Sequence, residues 1–356
     1  MTGSPPGARV LWLDVARILA ILGVITVHVV SGTAAGDTSI ADAGVVTTFA
    51  RQLGLLLLSA VTWCVPLFVM ISGALLLSRP ADSTAGGFYR RRLSRLGPPI
   101  VFWSLFYWGW RIWFRGQDVP PDAFVLSVLA GRPYAHLYFL FVIVGLYLIT
   151  PFLQVFLQAA DRRQVRSVVV LALGLAAAQQ LLGLVDLSAN SNIVTYFVPF
   201  TGYYLAGHWL RDVVLDGRRQ LLAGGMLVFL IALTFAGSGF TGRVFGPDES
   251  LAPQGYMSFL TIGSTLLVFL LVRSLWGAER FPGGSPTWLA AVATATFGVY
   301  LVHPAVLGPL RIVAEIGAGR WRNLVVFPLS VLVVGAVSLG LVLVVQRIPV
   351  VRRIVP

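Results

Sequence analysis

Asp14, Arg17 and His28 all fall in or beside one apolar stretch, LWLDVARILAILGVITVH, residues 11–28. A charged side chain at the centre of a membrane-spanning helix costs about 2.5–3.5 kcal/mol on insertion scales, so it normally faces protein or water. Asp14 and Arg17 are three apart, neighbours on one helix face that partly neutralise each other. Arg17 and His28 are eleven apart. At about 100° per residue that returns to within about 20° of the same direction, with a rise of roughly 16 Å. The three side chains therefore share one stripe, expected to face the bundle interior and line a path through much of the membrane. The bland alternative is an ion pair that holds helices together, with His28 merely interfacial. The chemical reading is proton transfer, because an imidazole titrates near neutrality and suits a general base.

Other residues carry weaker signals. Arg92 and Arg95 are three apart, with Arg91 beside them. On a helix they would present two guanidinium forks on one face, matching phosphate oxygens in a way lysine cannot. The competing reading is an anchor beside anionic lipids. Tyr300 and His303 share a helix face and are candidates to orient His28 or to bind an acceptor, as is His136. Ser72 is a poor candidate nucleophile, and Gly73 reads as a place for close helix contact. His208 reads as a membrane-surface residue. Cys64 is the single cysteine, so no disulfide forms within the chain, and it reads as a small buried hydrophobe. No metal site is expected.

The elements that must position these residues are membrane helices. The chain has 356 residues, 57% hydrophobic and 11% charged, with a mean hydropathy of +0.84. A soluble domain carries roughly 25% charged residues, so this composition cannot cover a soluble surface. Stretches of about 20 apolar residues cross the hydrocarbon core. Ten are found: 10–31, 48–78, 96–114, 134–158, 167–185, 193–212, 220–237, 254–274, 287–308 and 324–346. The expected fold is an all-α polytopic membrane bundle of about ten helices, with both termini cytoplasmic. Residues 1–8 are expected as a disordered tail, 9–347 as the transmembrane domain and 348–356 as a short C-terminal tail. Small residues at 31–36 resemble a signal-peptidase site, but Asp14 and Arg17 interrupt the apolar core, so the first segment reads as an uncleaved helix. Pro304, directly after His303, is expected to kink or end its helix.

All 26 basic residues are arginine, and the net charge is +12. Nucleic-acid binding is disfavoured, because the arginines bracket the apolar segments. Seventeen fall on the side of the N-terminus and six on the other, while Arg17, Arg51 and Arg111 lie within or close to spans. The positive-inside rule makes the N-terminal side cytoplasmic. His28, His136 and His303 then fall in the outer half of the membrane.

Five stretches in order resemble one family. Arg9, the LDVAR segment ending in Arg17, and His28 resemble the opening signature of the membrane-bound acyltransferase-3 family. VPLFVMISGALLL (65–77) is similar to its Pro-Leu-Phe-Phe-x-x-Ser-Gly segment, and FYRRRLSRLGPP (88–99) to its Arg-x-x-Arg stretch. HLYFLFVIVGLYLITP (136–151) is similar to its His-Leu-Trp-Phe-Leu segment, with Tyr138 where Trp is usual. FGVYLVHP (297–304) resembles its late Gly-x-Tyr-x-x-His. No esterase-like domain follows the last predicted helix, so the expectation is a stand-alone member.

The resemblance implies transfer of an acyl group, usually acetyl, from cytoplasmic acyl-coenzyme A to a hydroxyl. Acceptors in the family include cell-envelope polysaccharides, lipid-linked sugars and small glycosylated metabolites. The expected location is a bacterial plasma membrane. His28 is then the expected base, in direct attack of the hydroxyl on the thioester, which needs no second base. An acyl-histidine intermediate stays open. Asp14 would hold Arg17, and Arg17 would offer a fixed charge to the donor. Arg92 and Arg95, with Arg91, would hold the nucleotide end, and the pantetheine arm would follow the helix stripe. A carrier or flippase of lipid-linked sugars or small solutes is the competing class.

Overall fold

The computed structural model describes residues 10–35, 48–78, 84–183, 192–244, 247–314, 316, 322–349 and 351–356. Arg9 and the expected tail 1–8 lie outside the described residues. Among the described residues twelve α-helices run in chain order: α1 Leu11–Ala35, α2 Thr48–Val61, α3 Cys64–Leu76, α4 Ala85–Trp113, α5 Pro121–Leu129, α6 Tyr138–Ala159, α7 Arg162–Gly183, α8 Thr201–Leu210, α9 Gly217–Val244, α10 Phe259–Leu275, α11 Thr287–Ala314 and α12 Asn323–Val345. Among the described residues eight spans are long and apolar enough to cross a membrane, with α2 and α3 forming one of them. The chain is an all-α polytopic membrane bundle.

All ten predicted segments contain helix, with instructive departures. The segment 48–78 breaks at Thr62–Trp63 into α2 and α3. α4 begins eleven residues earlier than its apolar core suggests, capped by Thr84, whose hydroxyl accepts the Gly87 amide at 3.2 Å. It runs through Pro98 and Pro99, so the carbonyls of Ser94 and Arg95 lose their intrahelical donors. The segment 193–212 becomes a short 3-10 turn and the ten-residue α8. α11 continues to Ala314 through Pro304 and Pro309, so Pro304 does not end it. α5 was not expected; it exposes Val125, Leu126 and Leu129 and buries no residue. The last residues dock rather than trail: Trp103 donates to the Ile354 carbonyl at 2.9 Å, and Val355 is buried.

Local chemistry sets several helix starts. Asp161 and Gln164 form a reciprocal capping box on α7: the Asp161 carboxylate accepts the Gln164 amide at 2.7 Å, and the Gln164 side chain accepts the Asp161 amide at 2.8 Å. Asp216 accepts the Arg219 amide at 2.9 Å beside the start of α9. In hydrocarbon the helices then need interior packing rather than a hydrophobic drive. α1 lies at the centre, against α2, α3, α10, α11 and α12. α3 and α8 cross backbone to backbone. A Cβ built on Gly73 would lie 1.8 Å from the Tyr204 carbonyl oxygen, and one on Gly207 would lie 2.0 Å from that of Met70. The close helix contact expected at Gly73 is present.

The N-terminal end of α1 is fixed by one arginine. Arg273, buried in the last turn of α10, grips both Glu279 oxygens at 2.7 and 2.8 Å. Its Nε donates to the Arg211 carbonyl at 2.7 Å, and its guanidinium lies 5.8 Å over the Trp12 ring. The ends of α8 and α10 are thereby tied to α1. Glu279 sits in the loop after α10, outside the spanning helices. The hydrogen bonds from Arg273 hold its carboxyl at about 2 against an ordinary 4.5, with partial burial opposing.

Two predictions follow from this packing. Gly73→Ala and Gly207→Ala should each lower the melting temperature in detergent, at an overpacking cost of about 1–3 kcal/mol. Gly340→Ala, with open space around its Cβ, should not; equal behaviour of the three variants would contradict the close crossing. For Glu279 the folded carboxyl titrates below the unfolded one, so its contribution is fully present above pH 4.5 and is lost as pH falls toward about 2. The melting-temperature gap between the native chain and Glu279→Gln should be constant above pH 4.5 and close below it. A gap that does not change with pH would remove the ion pair from the account.

Candidate active site

Three of the four histidines meet in one place. His28 projects from the second half of α1, seven residues before that helix ends rather than at its end. His136 lies in the turn just before α6, and His303 in the interior of α11. Ring centres are 5.1 Å apart for His28 and His303, 5.4 Å for His136 and His303, and 6.2 Å for His28 and His136. His208 is elsewhere, its Nδ1 3.0 Å from the Ser78 hydroxyl.

Aromatic rings hold His136. Tyr107 of α4 stands edge-on to it at 4.9 Å and stacks on Tyr134 at 4.4 Å. The Tyr107 hydroxyl donates to the Leu301 carbonyl at 2.7 Å, which fastens α4 to α11. The Tyr300 hydroxyl donates to the His136 carbonyl, which fastens α11 to the start of α6. Arg311, further along α11, donates to the His28 carbonyl.

A cavity of about 110 Å³ opens inside this cluster. Its polar lining is His28, His136, Tyr138, Tyr256 and Tyr300, and its apolar walls include Val24, Val27, Val65 and Phe139. At about 30 Å³ per water, that is room for roughly three waters or a two-carbon acyl group. Among the described residues, both His136 ring nitrogens, the Tyr138 hydroxyl and His303 Nε2 are buried without a hydrogen-bond partner. Leaving a buried polar group unpaired costs about 1–3 kcal/mol. Of these, His136 and Tyr138 line the cavity, and unpartnered polar groups on a cavity wall suit a polar guest. His28 is only partly buried and borders the cavity. No group of three or more His, Cys, Asp or Glu side chains among the described residues is placed to hold a metal ion.

The structure does not bring Asp14 and Arg17 into this cluster. Asp14 is buried and divides its oxygens: one accepts Arg17 at 2.7 Å and the other the Ser285 hydroxyl at 2.7 Å. The cavity lining on α1 starts at Val24, so the expected path along the whole stripe is not lined by one continuous cavity from Asp14 to His28. Arg17 is 28% exposed and lies toward the N-terminal end of α1.

Arg91, Arg92 and Arg95 sit in the first turns of α4. Arg92 is partly buried, its guanidinium 5.3 Å from the Phe88 ring centre and 5.2 Å from that of Tyr147 on α6. Arg91 and Arg95 are exposed. From Arg92 to Tyr107 is fifteen residues, a rise of roughly 22 Å along α4.

Four participants were not singled out from the sequence: Tyr107, Tyr134, Tyr256 and Arg311. Arg311 left a readable trace, since it follows Tyr300 by eleven residues and so shares its stripe. For the tyrosines no spacing distinguishes them from interfacial aromatics.

The comparisons agree with the motifs. The acyltransferase 3 model, described as an acyltransferase domain, matches residues 10–347. No curated protein and no solved structure matches the chain. A match that runs from α1 through α12 takes in every helix that contributes to the histidine cluster, and it places the chain in the acyltransferase 3 family as a membrane-embedded acyltransferase.

Proposed function

We propose that the protein moves an acetyl group from cytoplasmic acetyl-coenzyme A to a hydroxyl of a cell-envelope glycan, a glycolipid or a secreted metabolite, with His28 as general base. The observation that carries this reading is the cavity: His28 borders it, and its lining includes His136 and Tyr138, whose polar atoms have no hydrogen-bond partner among the described residues. Its small volume suits a two-carbon acyl group better than a long chain.

The arginine excess on the N-terminal side supports a cytoplasmic start for α1 and α4. Coenzyme A would then enter at the first turns of α4. Arg92 and Arg95, with Arg91, would hold its phosphates, and the aromatic clamp on Arg92 would keep one fork in place. The rise of roughly 22 Å from Arg92 to Tyr107 is comparable with an extended pantetheine arm. Tyr107 touches His136, so the thioester would arrive at the histidines. Arg17, held by Asp14, would lie beside that route and offer fixed positive charge to the donor.

The chemistry is then short. His28 takes the proton as the acceptor oxygen bonds to the thioester carbon. The tetrahedral intermediate collapses, the carbon–sulfur bond breaks, and His28 returns the proton to the leaving thiolate. His136 and Tyr138 would bind the acceptor or the carbonyl through atoms that have no other partner.

Purified protein in nanodiscs with labelled acetyl-coenzyme A and candidate glycan acceptors tests this. His28→Ala should lower kcat by about 10²–10⁴-fold and leave the KM for acetyl-coenzyme A unchanged. Acceptor movement without label transfer, or full transfer by His28→Ala, would contradict the reading. Arg92→Ala/Arg95→Ala should raise that KM and spare kcat; an unchanged KM would remove the nucleotide role.

A further inference from the structure

Pro304 leaves a backbone carbonyl of α11 without its helical donor. An α-helical amide at position 304 would donate to the Tyr300 carbonyl, but proline has no N–H. α11 nevertheless runs on through Pro304. The next side chain back occupies the gap: His303 Nδ1 lies 2.7 Å from the Tyr300 carbonyl oxygen and 3.2 Å from that of Val299. Carbonyl oxygens only accept, so the hydrogen belongs to Nδ1. Neutral His303 then carries a bare lone pair on Nε2, and that atom is buried with no partner among the described residues. The closest other ring to His303 in the cluster is His28, with centres 5.1 Å apart. No hydrogen bond joins the two rings in this structure; with centres 5.1 Å apart, a rotation that turns the two nitrogens toward each other would bring them within hydrogen-bond reach.

We infer that His303 is a positioning residue for His28: the Tyr300 carbonyl exposed by Pro304 fixes its proton on Nδ1, and its bare Nε2 is left to receive an N–H from the His28 ring once the two rings turn toward each other. His28 is thereby held with its own lone pair toward the cavity. This rests on His28 being the base, as proposed above. The chain of contacts is carbonyl, imidazole, imidazole, acceptor hydroxyl. His303 plays the part that a carboxylate plays beside the histidine of a serine hydrolase, without placing a net negative charge in the membrane. No proton leaves the pair: His28 takes the hydroxyl proton on its cavity-facing nitrogen, the imidazolium keeps its other hydrogen bonded to His303, and the thiolate recovers the transferred proton. The benefit is a single tautomer of the base before substrate arrives. In the serine-hydrolase arrangement, a wrongly tautomerised base costs on the order of 10⁴-fold in kcat.

The test begins with a readout that needs no activity. The full chain has four histidines, so nitrogen-15 spectra of histidine-labelled protein are sparse, and the His303 signals are identified by their loss in His303→Gln. The expected spectrum at neutral pH shows His303 protonated at Nδ1 and bare at Nε2; an Nε2-protonated ring overturns the inference. Pro304→Ala restores an amide donor to Tyr300, and should mix the His303 tautomers and lower kcat by roughly tenfold or more with the KM for acetyl-coenzyme A unchanged. Unchanged tautomer and unchanged kcat in that variant contradict the inference. His303→Gln keeps an acceptor oxygen near the Nε2 position and should retain at least about tenfold more kcat than His303→Leu; equal loss in both would reduce His303 to a packing role. Full activity in His28→Ala would defeat the parent reading instead, and the spectrum would still report the His303 tautomer.

Discussion

A polar group inside hydrocarbon must find its partner within the protein, and this constraint organises the molecule. Almost everywhere the demand is met locally. Buried serines and threonines such as Ser59, Thr150 and Thr265 bond back to carbonyls four residues earlier in their own helices. Asp14 takes Arg17 and Ser285, and Arg273 takes Glu279 and a backbone carbonyl. Around the His28 cavity the demand is left unmet at several atoms together. Elsewhere among the described residues unpartnered atoms occur singly, as at Ser104, Trp209 and Ser338; on the proposed reading a guest molecule completes the bonding at the cavity.

The scaffold for that exception is made by tight, small-residue contacts and by a few long-range hydrogen bonds. Gly73 and Gly207 let α3 and α8 meet at backbone distance. Tyr107 and Tyr300 then tie α4, α11 and the start of α6 to one another through carbonyls close to the histidines. These tyrosines connect through their hydroxyls and pack through their rings, so each fixes both the position and the orientation of its neighbour. At the other end of α1, Arg273 does the same work with a guanidinium face on Trp12 and a fork on Glu279. α1 is thus held at both ends, and His28 has a defined location along it.

Much of this could be read in the amino-acid sequence because hydrophobic length and charge placement are local properties. The spans, the motif residues on α1, α4, α6 and α11, and the close contact at Gly73 all have a signature within a few turns. What could not be read depends on tertiary packing. The single stripe of Asp14, Arg17 and His28 was geometrically sound, but stripe geometry does not say what each side chain bonds to, and Asp14 turns to Ser285. Tyr107 reaches His136, and Tyr256 the cavity, only through contacts between segments far apart in the chain. Pro304 reads in the sequence as a kink or a helix end. In the structure it is absorbed, because the His303 ring nitrogen sits at the carbonyl that the missing amide leaves open.

On the proposed reading the thioester and the acceptor hydroxyl meet at the His28 cavity. A cryo-electron-microscopy structure of the full chain in nanodiscs, bound to an acetyl-coenzyme A analogue whose thioester sulfur is replaced by a methylene group, tests it most directly. The ketone carbonyl is expected inside the cavity, within hydrogen-bond reach of the histidine cluster, and the nucleotide phosphates against Arg92 and Arg95. A ketone lying outside the cavity, with closed protein between it and His28, would contradict the account.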